Sequence, residues 1–240
     1  MSAIASVKVS ANISQSSRYE SVAFTEQKSL WDGTIQEFLK RVGSTDATPE
    51  TGSVAIAVAS MGTALLRKAL AVSLKNRGAK AATLPLEAAV QELDACMAVF
   101  REGLDEDGNM SSFPPQLFRL PHADAAETQL REEAREGAAR SATSISIAHA
   151  REVHRLFRSG LDMLTLIHDE MLTCAIAGLC LLNSASECLL VMAEGDLSKI
   201  SNREYRSRMS RHIREIDQLA READTQLERR IHSRQLTRSL

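Results

Sequence analysis

Asp169 is the residue whose sequence surroundings most suggest chemistry. It follows the apolar stretch LTLI and precedes MLTCAIAGLCLL. Burying a carboxylate there without compensation would cost several kcal/mol, so we expect a hydrogen-bonded partner or a water-filled cavity. His168 precedes it, but neighbouring side chains on a helix point in different directions, so the two need not form a dyad. A second acidic group, Asp105 to Asp107, is typical of solvated or capping carboxylates at the end of a helix.

The other candidate residues form no familiar catalytic or metal-binding pattern. His149 and His154 are five residues apart, and no Asp or Glu completes a set of ligands, so no metal site is predicted. The sequence lacks the G-x-S-x-G elbow of serine hydrolases and the glycine patterns of phosphate-binding loops. Its four cysteines are interpreted as reduced core thiols.

The segment STDATPETGS, residues 44–53, joins two stretches with helical spacing. Its threonine, proline, glycine and serine residues suggest either a turn or a loop that contacts a ligand. Glycine lets a backbone approach a ligand closely, and loops often carry binding residues. The segment is therefore a candidate binding loop.

The composition predicts a soluble, helical protein. Hydrophobic residues make up 44% and aromatic residues only 4%, so the core consists of small and aliphatic side chains that favour close-packed helices. A net charge of −2 argues against nucleic acid or an anionic membrane as the main partner. The longest apolar stretch, 171–193, is interrupted by polar residues and predicts a buried helix rather than a membrane span. Because no secretory leader is recognised, we expect a cytoplasmic protein.

The hydrophobic spacing predicts an all-α fold, an up-and-down bundle of long helices. The predicted helices cover 29–43, 52–76, 86–107, 125–159, 171–193 and 207–231, with a loop at 108–124. The main domain is placed at residues 29–200. A flexible arm is expected at 1–28, and an arginine-rich helix at 201–240 is expected to pack on the domain or on a partner subunit.

The order of these elements resembles the formiminotetrahydrofolate cyclodeaminase and methenyltetrahydrofolate cyclohydrolase family. Members of that family carry an amphipathic first helix, a serine, a T-P-G-G-G-S-like loop and an alanine-rich helix. The residues that match this part of the pattern are Ser44, Thr48, Pro49, Gly52 and Ser53, with Ser73 where the family usually has threonine. The residues that match further along are Asp107, Leu120, Pro121, Arg131, Ala138, Ala142 and Asp169.

The sequence also departs from the family pattern. Glu50 and Thr51 replace two loop glycines, Ser111 replaces an aromatic residue, Ser146 replaces a proline, and Glu187 lies near an expected asparagine. Because glycine allows close backbone approach, these changes reshape whatever the loop holds.

The resemblance implies a homodimer that binds a reduced folate near the subunit interface. It implies a tetrahydrofolate derivative as substrate, no tightly bound cofactor, and either cyclohydrolase or cyclodeaminase activity. Asp107 and Asp169 are the candidate acid–base or cation-stabilising groups. The candidate substrate-binding residues are Thr48, Gly52, Ser53, Ser73, Arg131 and His168. The chain has no room for a fused formiminotransferase, which favours the cyclohydrolase.

Two alternatives stay open at this point. The scaffold could act on a different imine, amidine or cyclic substrate, or it could be a non-catalytic helical dimer that binds a partner protein. The enzyme readings predict an open polar cleft lined by Asp107 and Asp169, whereas the scaffold reading predicts that side chains fill this cleft.

Overall fold

The computed structural model describes residues 29–45, 49, 51–77, 83–111 and 124–238, with backbone only at 30, 77, 104–111 and 233–238. In this described part the chain forms six α-helices and no strand, which confirms the all-α prediction. The helices are α1 (Ile35–Val42), α2 (Thr51–Arg77), α3 (Leu84–Ser111), α4 (Ala125–Met163), α5 (Leu172–Leu197) and α6 (Arg203–Arg238).

The close approach of α2 and α5 forms the centre of the bundle. A Cβ added at Gly62 would lie 2.7 Å from the Gly178 carbonyl oxygen, and one added at Gly178 would lie 2.7 Å from that of Gly62. One helical turn away, the Cys174 thiol lies 3.5 Å from the Leu65 carbonyl oxygen. Residue numbers therefore rise along α2 as they fall along α5, so the two helices are antiparallel.

Helices α3 and α4 pack around this central pair. On α4, a Cβ added at Gly160 would lie 2.5 Å from Leu66 of α2 and 2.8 Å from Leu179 of α5. These small residues let aliphatic side chains interdigitate at the close packing of a protein interior. The prediction of a nearly continuous helix over 125–159 is confirmed, since α4 runs from Ala125 to Met163.

A polar cluster joins α3 to α4. Arg155 bonds to Glu92 of α3 and donates from Nη2 to Glu152 Oε1 at 2.7 Å, and the Ser159 hydroxyl donates to Glu92 at 3.0 Å. The Cys96 thiol donates to Glu152 Oε1 at 3.1 Å. Burial, together with this bond, raises the pKa of Cys96 to about 12. The thiol is therefore a structural donor in its neutral form.

Tyr205 anchors the start of α6 on α4. Its hydroxyl donates to the Arg140 carbonyl oxygen at 3.0 Å and lies 2.9 Å from the Ser144 hydroxyl. The guanidinium groups of Arg140 and Arg208 lie 5.3 and 5.5 Å from the centre of its ring. Further along, the apolar face of α6 is buried against the bundle at Ile213, Ile216, Ala220, Ala223 and Leu227. In this chain α6 packs on its own domain.

The predicted first helix is shorter than expected. Residues Leu30–Asp32 form a 3-10 turn, and α1 begins only after Thr34, whose hydroxyl accepts from the Glu37 N–H while the Glu37 carboxylate accepts from the Thr34 N–H. This capping box starts α1 inside the segment 29–43, which the sequence pattern predicted as one continuous helix. Gly43 ends α1, and Ile35 and Leu39 are exposed, so α1 buries no residue against the described part of the chain.

Two further expectations are corrected. Helix α3 continues to Ser111, through residues expected to lie in the loop at 108–124. The cysteines are not all core thiols, because Cys96 is buried whereas Cys180 and Cys188 are exposed on α5. No disulfide joins them.

Two stretches are long and apolar enough to cross a membrane by length and composition alone, Thr51–Asn76 and Asp169–Leu197. They contain α2 and α5, the central pair of the bundle. A core helix can meet the same criterion, and these two helices pack directly against each other at Gly62 and Gly178.

Candidate active site

The first turn of α2 carries Gly52 and Ser53. Both were expected in a binding loop, but α2 begins at Thr51, so they lie inside the helix. Gly52 is buried and Ser53 is fully buried. Of the other loop candidates, Pro49 is buried, and Thr48 lies outside the described residues. The first backbone N–H groups of an α-helix lack intrahelical acceptors and favour negative charge nearby.

The C-terminal part of α3 lies beside this first turn. Arg67 of α2 bonds to Asp94 of α3, with Nη2 and Oδ2 3.0 Å apart, and further along a Cβ added at Gly103 would lie 3.6 Å from Ile56. The two helices are therefore antiparallel.

The same antiparallel arrangement locates Asp107. Ser53 precedes Ile56 by three residues and Asp107 follows Gly103 by four, so both are displaced by about 4.5–6 Å in the same direction. Asp107 thus lies in α3 level with the start of α2, although its side chain is outside the described part of the structure.

His149 of α4 contacts this end of α3. A Cβ added at Gly103 would lie 2.8 Å from His149 Nε2 and 2.9 Å from Cε1, so the half-buried imidazole occupies the space that a side chain on α3 would fill. The sequence suggested His149 only as a partner for His154 in a metal set. Within the described residues, no three His, Cys, Asp or Glu side chains cluster as metal ligands. The contact between Gly103 and His149 joins distant parts of the chain, so no local sequence pattern predicts it.

Trp31, the single tryptophan, lies at the same end of the bundle. Its indole Nε1 donates to the Arg101 carbonyl oxygen at 3.1 Å, two residues before Gly103. The ring is half-buried and packs against the core. An aromatic residue that is half-buried at the mouth of a site can stack on a planar ligand and report its binding by fluorescence.

Ser73 and His168 meet at the opposite end of α2. The buried Ser73 hydroxyl accepts from the His168 backbone N–H at 2.8 Å and donates to the Ala69 carbonyl oxygen at 2.7 Å. The imidazole of His168 is exposed, with Nδ1 3.9 Å from Glu170 Oε2. Ser73 therefore fastens the connection between α4 and α5 to α2.

Asp169 does not occupy the buried position expected for it. Two 3-10 turns, Leu164–Leu166 and Asp169–Met171, separate α4 from α5. They place Asp169 at the surface, where it is exposed. Because its carboxylate is not buried, the desolvation argument that first singled it out does not apply.

The predicted site residues fall into separate groups within one chain. Ser53 and Ser73 are 20 residues apart on the continuous helix α2, about 30 Å along its axis. Gly52, Ser53 and Asp107 share one end, whereas Ser73, His168 and Asp169 share the other. Arg131, half-buried near the start of α4, lies about 27 Å of helix axis before His149. Within one chain, the predicted site residues that lie near one another at the start of α2 are Gly52, Ser53 and Asp107.

Comparison with known proteins gives two matches. The family model described as formiminotransferase-cyclodeaminase matches residues 34–215. The fold is similar to the crystal structure of formiminotetrahydrofolate cyclodeaminase from Thermotoga maritima, with a TM-score of 0.70 and 16% identity, covering 82% of this chain and 94% of that chain. At this identity the likeness shows the fold alone. No curated protein matches the chain.

Proposed function

We propose that this chain, which belongs to the formiminotransferase-cyclodeaminase family, is a folate-dependent one-carbon enzyme. Its substrate is a reduced folate that carries a one-carbon unit at N5 or between N5 and N10. The reaction makes or breaks a C–N bond at that carbon, as a methenyltetrahydrofolate cyclohydrolase or a formiminotetrahydrofolate cyclodeaminase. The family supports the folate class, and the assay described below decides between the two reactions.

The observation that carries this proposal is the alignment of the start of α2 with the end of α3. The first turn of α2, which contains Gly52 and Ser53, is the positive end of a helix dipole. The glutamate tail of a folate is anionic, and the N-terminus of a helix favours a carboxylate nearby. Asp107 lies level with this turn on the neighbouring helix. A binding element and an acid–base candidate are therefore adjacent.

Both reactions need the same few functions from the protein. Each passes through a tetrahedral carbon, and each moves a proton between heteroatoms bonded to that carbon. In hydrolysis, water adds to the methenyl carbon and the bond to N5 breaks. In the cyclodeaminase reaction, N10 attacks the formimino carbon and ammonia leaves. A carboxylate at position 107 can accept or supply the proton and stabilise the positive charge of the amidinium.

We also propose that the active form is a homodimer. A site that used both Ser53 and His168 could not be built from one chain, because the two ends of α2 are about 30 Å apart. Met61 on α2 and Val191 on α5 are 48% and 66% exposed, so the central pair offers apolar surface to a second copy. Light scattering coupled to size-exclusion chromatography should give twice the mass of one chain. A monomer at every protein concentration would contradict the proposal.

Calorimetric titration with 5-formyltetrahydrofolate, a stable reduced folate, tests the function. Wild-type protein should bind it with micromolar affinity. Asp107→Asn should lower turnover by about 100-fold, the usual size of one acid–base contribution. Asp94→Asn is the matched control, since it lies on the same helix and pairs with Arg67 at the surface. No binding by the folded protein would contradict the folate assignment, and turnover of another imine or amidine would instead support a repurposed enzyme.

A further inference from the structure

We infer that His149 is a catalytic residue of the proposed folate site, where its imidazole contacts the reacting one-carbon unit and moves the proton. The inference rests on the proposed function and adds a named residue to it. His149 is not among the residues that match the family pattern in this sequence.

The packing of His149 is specific. Gly103 is buried in α3, and its missing side chain leaves the space in which the His149 ring lies. An internal helix glycine is less favourable than alanine by about 1 kcal/mol. Alanine at this position would place its Cβ within 3 Å of two ring atoms. The glycine thus allows the imidazole to lie directly against the α3 backbone, which limits its motion.

The position of His149 also fits the reaction. A Cβ added at Gly103 would also lie 3.6 Å from Ile56 of α2, and Ser53 is about one turn before Ile56. Asp107 is one turn beyond Gly103 on α3. The ring is half-buried, so part of it remains accessible at the end of the bundle that holds these candidates. An imidazole is the side chain best suited to both accept and release a proton near neutral pH.

The proposed step for hydrolysis balances as follows. The oxygen of water bonds to the methenyl carbon, and His149 takes one proton from that water. The bond between the carbon and N5 then breaks, and His149 returns its proton to N5. The second proton of the original water is released to solvent as the C=O of the formyl group forms. In the formimino reaction, N10 bonds to the formimino carbon, and His149 transfers the N10 proton to the formimino nitrogen. One further proton from solvent completes ammonia, which leaves as the bond between the carbon and that nitrogen breaks.

His154 provides a matched control for this inference. It lies on the same helix and is also half-buried, but it does not contact Gly103. His149→Gln should lower kcat by about 100-fold or more with a smaller change in KM, and His154→Gln should retain kcat. Gly103→Ala, which displaces the ring, should lower kcat as well. Circular dichroism should show that each variant keeps its helical content.

Chemical rescue separates proton transfer from a structural role. Added imidazole should restore part of the lost rate in His149→Ala, whereas it should not change His154→Ala. Wild-type kcat in His149→Gln, with an active wild-type enzyme, would overturn the inference and leave the proposed function intact. A folded wild-type protein that converts neither folate would overturn the proposed function, and the role of His149 with it.

Discussion

The hydroxyl of Ser73 holds the backbone of His168. It accepts from the His168 N–H at 2.8 Å while it donates to the Ala69 carbonyl oxygen of its own helix at 2.7 Å. A single buried side chain therefore links the α4–α5 connection to α2. The exposed imidazole of His168 and the exposed carboxylate of Asp169 extend from a segment that this bond fixes.

Ser73→Ala should destabilise the protein by about 1–2 kcal/mol, because the backbone N–H of His168 loses its acceptor. Ser60 is a suitable comparison, since its buried hydroxyl donates to the Ile56 carbonyl oxygen of the same helix at 2.8 Å. Ser60→Ala should have little effect, because alanine favours the helix and only a local bond is lost. Urea unfolding of both variants measures the difference. Equal losses of unfolding free energy in the two variants would show that the hydrogen bond from His168 to Ser73 does not stabilise the fold.

Gly178→Ala should destabilise the protein by about 1–3 kcal/mol or more, because the added methyl group meets the backbone of the opposite helix. The neighbour is the Gly62 carbonyl oxygen at 2.7 Å, which can move only if α2 and α5 separate. Gly137 has no atom within 4 Å of an added Cβ, so Gly137→Ala should stabilise the protein by about 0.5–1 kcal/mol. Thermal unfolding distinguishes the two substitutions, and a neutral Gly178→Ala would contradict the packing described for the central pair.

His154 should make stability depend on pH. Burial, with a smaller contribution from the charge of Arg158, lowers the pKa of His154 below its ordinary value of 6.5. The unfolded chain then binds the proton more readily, so this contribution is present above about pH 6.5 and is lost as pH falls toward the folded pKa. Between about pH 7.5 and 5.5, wild type should lose more unfolding free energy than His154→Gln. The same loss in both proteins would show that His154 titrates as it does when unfolded.

The cysteines should differ sharply in reactivity. The pKa of Cys96 is raised to about 12 by burial and by its bond to Glu152, so almost none of it is thiolate at neutral pH. Cys188 is exposed on α5. Iodoacetamide should therefore modify Cys188 in the native protein long before Cys96, and mass spectrometry of the peptides can follow both. Early labelling of Cys96 would mean that the cluster with Glu152 and Arg155 opens readily.

The long helices could be predicted because their signal is local. Small and aliphatic residues recur at helical spacing along α2, α4 and α5, and burial of these faces stabilises each helix. The prediction for Asp169 failed for the opposite reason. Apolar residues on both sides suggested burial, but two 3-10 turns interrupt the helix and turn the carboxylate outward.

The candidate site could be predicted only in part. Gly52, Ser53 and Asp107 were recognised from their order, and the antiparallel packing of α2 and α3 brings their positions level. The contact between Gly103 and His149 depends on how α3 and α4 meet, so no spacing in the sequence reveals it. Likewise, the separation of Ser53 from Ser73 became clear only when α2 proved to be one continuous helix.

The most direct test of the folate assignment is the absorbance of 5,10-methenyltetrahydrofolate in the presence of the purified protein. Enzyme-dependent loss of this absorbance identifies a cyclohydrolase, and its appearance from 5-formiminotetrahydrofolate with release of ammonia identifies a cyclodeaminase. One of these changes is predicted, and it should be weakened at least about 100-fold in Asp107→Asn. A folded protein that produces neither change, at any substrate concentration, would contradict the proposal that this chain carries out one-carbon chemistry on folate.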